Sequence, residues 1–139
     1  MNREPIYAAL FALVSGGPGL VTTSRKLLHW NDVPPSSRPA LFMAQKREGA
    51  SQRTGLPTVW NLHVDLYLYV STQGDVAPGS ALNPILDAIA SALDTHPVRG
   101  PQSLGGLVQW ARIEGSIETD EGTLGQDAVA IVPVSILCI

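Results

Sequence analysis

TVWNLHVDLYLYV, residues 58–70, is the stretch on which the reading of the fold turns. From residue 60 on, its even positions, Trp60, Leu62, Val64, Leu66, Leu68 and Val70, are all apolar. Over the same span its odd positions hold Asn61, His63, Asp65, Tyr67 and Tyr69. Successive side chains of a strand point to opposite faces, so this period of two predicts a strand of an antiparallel sheet with one buried face.

Upstream of it lies QKREGASQRTGLP, residues 45–57, which is polar, basic and punctuated by glycine. Tight hairpins need about two to five loop residues, so this segment reads as a long loop after a strand in PALFMAQK. NDVPPSSRP is a proline-rich connection, and residues 20–30 read as a first strand. A helix opens the chain. Asn2 can cap it, Pro5 is tolerated in its first turn, and Ile6, Tyr7, Leu10, Phe11, Leu13 and Val14 form a broad apolar arc. Ser15-Gly16-Gly17-Pro18-Gly19 ends it.

Downstream, STQGDVAPGSA is a loop, after which Asn83 caps a second helix with Pro84 at its first position. Leu82, Ile85, Leu86, Ile89 and Leu93 follow helical spacing up to a stop before His96-Pro97. Residues 107–118 read as a fourth strand, TDEGTLGQ as a turn, and AVAIVPVSIL as a fifth strand, apolar on both faces apart from Ser135. Pro133 cannot donate a ladder hydrogen bond, which places that strand at an edge or a bulge. An apolar edge strand needs a cover, and a neighbouring subunit would provide one. The expected fold is α+β in a single domain, residues 1–139. It has one antiparallel or mixed sheet of about five strands with two helices on one face, in the order α-β-β-β-α-β-β.

Charged residues make up only 15% of the chain, against roughly 25% in an ordinary soluble domain. Such a surface points to faces hidden in an oligomer. The net charge of −3 gives no global drive toward nucleic acid or membrane. Its distribution is uneven: residues 1–53 carry a balance of +4 and residues 54–139 a balance of −7. Head-to-tail contact between copies would exploit that split; interleaving of the two halves in space would cancel it. No apolar run approaches the ~20 residues of a membrane span. The N-terminus does not read as a signal peptide, since Glu4 and Pro5 spoil a basic leader. One cysteine, Cys138, leaves no intrachain disulfide and suits a reducing compartment.

Chemical motifs are sparse. The glycine cluster at 16–19 lacks the Gly-Lys-Ser/Thr of a phosphate loop. His63 as general base with Asp65 as its orienter is the only acid–base arrangement that suggests itself, beside Tyr67 and Tyr69; a polar stripe facing solvent or a partner is the alternative. No nucleophile elbow is present. His29, His63 and His96 are far apart, and the acids Glu114, Glu118, Asp120, Glu121 and Asp127 lack the order of a calcium loop. No catalytic residue, cofactor or metal is assigned. Lys46, Arg47 and Arg53, three of the nine basic residues, fall within eight positions. They suggest an arm that meets the acidic region of another copy, at Glu118, Asp120 and Glu121.

Two stretches bring a family into view. MNREPIYAALFALV opens the chain; near its end come Gly115 and Ile117, then Asp120-Glu121-Gly122, Gln126 and a strand through Pro133 to Ile136. With the element order, this resembles small tail proteins of long-tailed bacteriophages, notably the tail terminator (tail completion) and minor tail protein family. The resemblance implies a small α/β domain whose sheet is flanked by helices. It implies a hexameric ring at the head-proximal end of the tail tube, which stops tube polymerisation and joins the tail to the head connector or stopper protein. The implied place is the virion tail, assembled in the host cytoplasm, with DNA passing through the ring lumen. Other neck or tail-tube components share the architecture. A small enzyme or ligand-binding domain built on the His63/Asp65 face is the reading from a different class.

Overall fold

In a computed structural model that describes residues 1–123 and 125–139, the chain is α+β with one mixed sheet. The order is α1 (Arg3–Ser15), β1 (Thr22–Ser24), β2 (Ala40–Ser51), β3 (Val59–Ser71), α2 (Pro78–Leu93), β4 (Trp110–Ile113), β5 (Glu118–Glu121) and β6 (Asp127–Cys138). Laterally the strands run β1-β2-β3-β6-β4, and β5 also pairs with β6. Only β1 and β2 are parallel; the other pairs are antiparallel.

The alternation in 58–70 is what the core is built on. Leu62, Val64, Leu66, Leu68 and Val70 of β3 are buried. They share one dry layer with Leu41 and Met43 of β2, Ala128 to Cys138 at even positions of β6, and the inner stripes of both helices. Those stripes are Ile6, Tyr7, Leu10 and Val14 in α1 and Leu82, Ile85, Ile89 and Leu93 in α2. Both helices therefore lie on one face.

Several local expectations are corrected. The first strand is three residues long rather than spanning 20–30, because the chain bends at Arg25 and Lys26. It then folds two short 3-10 turns, Trp30–Asp32 and Pro35–Ser37, over one end of the opposite sheet face. There Val33 joins Ala40, Phe42 and Tyr69 in a second, smaller core. The 45–57 segment is not a long loop. β2 continues to Ser51, and only 52–58 connects the two strands. The ladder with β3 carries Arg47 to Ser51 as strand, although their side chains are exposed. α2 begins at Pro78, not Asn83, because the buried stripe starts at Pro78 and Leu82; Pro84 sits inside the helix. The 107–118 stretch splits into β4 and β5, giving six strands in place of five.

β6 is not an edge strand; it lies between β3 and the β4/β5 pair. Pro133 is tolerated because of where that pair breaks. Its carbonyl accepts from the Glu114 N–H at 3.2 Å, so its missing N–H faces the same side, where residues 114–117 leave the ladder. Gly115 crosses there with φ +113°, and a Cβ on it would stand 3.3 Å from the Pro133 ring.

Candidate functional site

The face of the sheet away from the helices is only partly covered. Its residues are the odd positions of β3 and β6, the outward positions of β2, and Glu118 and Asp120 of β5. A bulge between Gln45 and Arg47 shifts the register of β2. Bulges re-aim side chains, and this one turns both Lys46 and Arg47 toward the open face. Lys46 Nζ lies 3.8 Å from Asp65 Oδ2 and 5.3 Å from the centre of the Tyr67 ring. Tyr67 first, and Asp65 after it, hold the ammonium above the usual lysine range.

His63 and Asp65 stand on this face as expected, but they do not form a dyad. His63 faces Ser135 across the β3–β6 ladder, and its Nδ1 is 3.2 Å from the Ser135 hydroxyl. Asp65 is occupied by Lys46. Lys46, Arg47, His63, Asp65, Glu114 and Ser135 line an open depression of about 560 Å³. Its charges of both signs leave no net preference for an anion. Ser135 was visible in sequence as the one polar residue of an apolar strand, and its burial makes the His63 bond its natural partner.

The charged candidates separate into two lateral margins. Among the described residues β2 is paired by β1 only at Ala40–Phe42, so from Met43 outward one side of it has no strand. Lys46 and Arg47 sit on this bare margin, while Arg53 is in the connection beyond it. Glu48 on the same strand points to the helix side. Arg3 Nε binds it at 2.8 Å and the Tyr7 hydroxyl donates to it at 2.9 Å. Arg3 first, then Tyr7, hold its carboxyl below the usual range. Burial, then Glu48, push the Tyr7 phenol well above its ordinary value. The margin is thereby left basic.

On the opposite side of the sheet, β5 pairs only with β6 among the described residues. Glu118 and Asp120 share the open face through their partners Ile131 and Val129. Glu121 turns to the other face, where its carboxylate occupies the space a Cβ on Gly79 would need. That places it at the N-terminal turn of α2, which favours negative charge. Among the described residues, no ion pair engages Arg47, Arg53, Glu118, Asp120 or Glu121.

One residue that shapes this face escaped the sequence. Arg38 is only 7% exposed; it donates to the carbonyls of Val33 and Trp30 and lies 3.3 Å from Asp127. It pins the 25–39 connection onto the open face, and nothing in a proline-rich stretch distinguishes such an arginine from a surface one. His29, His63 and His96 lie on separate elements, and among the described residues no three His, Cys, Asp or Glu side chains cluster as metal ligands. Among the described residues no helix is long and apolar enough to cross a membrane. No protein-family model matches the chain, and a search of curated proteins finds no significant match.

Proposed function

We propose that the chain is a structural subunit of a ring in the tail of a long-tailed phage, in the role of a tail terminator. The observation that carries this reading is the placement of charge on the two margins, with Arg47, Glu118 and Asp120 in no ion pair among the described residues. Lys46 and Arg47 lie on a bare strand margin at one side of the sheet, and Glu118 and Asp120 lie on the margin at the other side. Complementary surfaces on opposite flanks make a heterologous contact, which closes into a ring when the rotation permits. The low charge content and the resemblance of both chain ends to the tail family support the same reading. In that role one rim of the ring matches the last ring of the tail tube, and the other meets the head connector or stopper. The lumen would pass DNA without reading its sequence.

Electron microscopy and light scattering of the purified protein test this. Closed rings are the expected outcome, hexamers being the order the resemblance implies. Open filaments would assign the chain to the tube instead, and a monomer throughout the concentration series would overturn the proposal. The reading as an enzyme or ligand-binding domain draws on the depression beside His63. Replacing His63 and Asp65 together with Ala separates the two: rings and tail completion should persist, whereas loss of function with intact rings would favour a chemical site.

A further inference from the structure

Resting on the ring reading, we infer that β5 of one copy adds antiparallel to the bare margin of β2 in the next, so that the sheet continues from subunit to subunit. The space for it has a defined start. β1 pairs with β2 only as far as Ser24 opposite Phe42, and the chain then bends at Arg25 and Lys26. From Met43 the outer N–H and C=O groups of β2 face no strand among the described residues. Unpaired edge groups are a template for another strand. β5 has four residues, and among the described residues no strand pairs its outer side.

Polarity fits as well. β2, β3, β6 and β5 alternate in direction, because each neighbouring pair is antiparallel. A copy turned about an axis roughly along the strands keeps its strand directions. Its β5 therefore runs opposite to β2, the arrangement with the better ladder geometry.

Charge selects the register. In a level continuation, Arg47 would face Arg112, since Arg47 partners His63, His63 partners Ser135, and Ser135 partners Arg112. Like charges directly opposite are unfavourable. A two-fold contact of β2 with β2 would likewise crowd Lys46 and Arg47 against their copies. Sliding the neighbour along the strands until Glu118 faces Arg47 brings Asp120 beside Lys46. Both pairs then lie on the open face. The slide is the distance from the Ser135 level to the Ile131 level, four positions or about 13 Å. Against a repeat of four strands, about 19 Å wide, it tilts the strands by about 35° from the ring axis, close to the inclination found in closed barrels.

Charge swaps and cysteine pairs test the ladder. Arg47→Glu and Glu118→Arg should each raise the concentration needed for assembly at least about tenfold, and the double swap should restore it to within about threefold. Arg53→Glu, outside the ladder, should leave it unchanged. Facing residues of an antiparallel pair are close enough for a disulfide. An equimolar mixture of Arg47→Cys and Glu118→Cys subunits should therefore cross-link under mild oxidation, with neither variant linking alone. The wild-type chain, whose Cys138 is buried, is the control. Intact wild-type rings without rescue or mixed cross-link would overturn the ladder and leave the ring standing. Arg47→Cys linking to itself would replace it with a two-fold contact. A wild-type monomer would remove both.

Discussion

The two faces of the sheet follow different rules. The helix-side face is filled by aliphatic residues from every major element, and its side chains have one place to go. The open face mixes Tyr67, His63, Asp65, Lys46 and Ser135 with a small apolar cluster at one end. The first face supplies the stability of the subunit. The second is held by specific pairs, and its margins carry the charged candidates. The difference teaches that stability losses should be largest on the helix-side face and should shrink across the open face toward its exposed margins.

The largest effect is expected on the dry face. Leu66→Ala removes a fully buried side chain between the sheet and the helices and should cost about 4 kcal/mol by denaturant unfolding. A loss below about 1 kcal/mol would show that this face is not the core. On the open side, Arg38→Ala strips the buried guanidinium from Asp127 and from two carbonyls and should cost about 3 kcal/mol. Unchanged stability there would mean that the 25–39 connection is held by its apolar contacts alone. Gly115→Ala forces a side chain into a left-handed position against Pro133 and should cost about 2 kcal/mol. A neutral Gly115→Ala would contradict the account of why Pro133 is tolerated in a central strand.

Smaller effects sharpen the comparison. His63→Ala leaves the buried Ser135 hydroxyl without its partner and should cost about 1 kcal/mol, with ring formation intact. Glu48 gives a pH signature. Its folded carboxyl titrates below its unfolded value, so its contribution is present above the ordinary carboxylate range and is lost as pH falls through the lowered folded value. Glu48→Gln should flatten the acid limb of the stability profile; an unaltered limb would rule out that linkage.

How much of this was legible depends on which force fixes each segment. β3 was readable residue by residue because a half-buried strand writes its face into alternation. β6 was readable as a strand, yet its place was misjudged. Pro133 argues for an edge only if the side its nitrogen faces is fully paired at that level, and here the neighbour leaves the ladder there. The outer half of β2 was hidden because Arg47 to Ser51 have no apolar period; they are strand only because β3 supplies the ladder. α2 began a turn and a half earlier than Asn83 because burial of Pro78 and Leu82 outweighed an attractive cap. The candidate site was half readable. Arg47 and Glu118 were named from charge alone, but that Glu121 turns toward α2 and that Asp65 serves Lys46 follow from register. Register emerges only when the sheet is assembled.

The central claim is that the bare margins of this sheet are completed by sister copies. Cryo-electron microscopy of the purified wild-type chain tests it most directly. The expected map is a closed ring in which β5 of each copy lies against Met43–Arg47 of the next. A lone subunit, or a ring whose copies meet only through their helices, would contradict it.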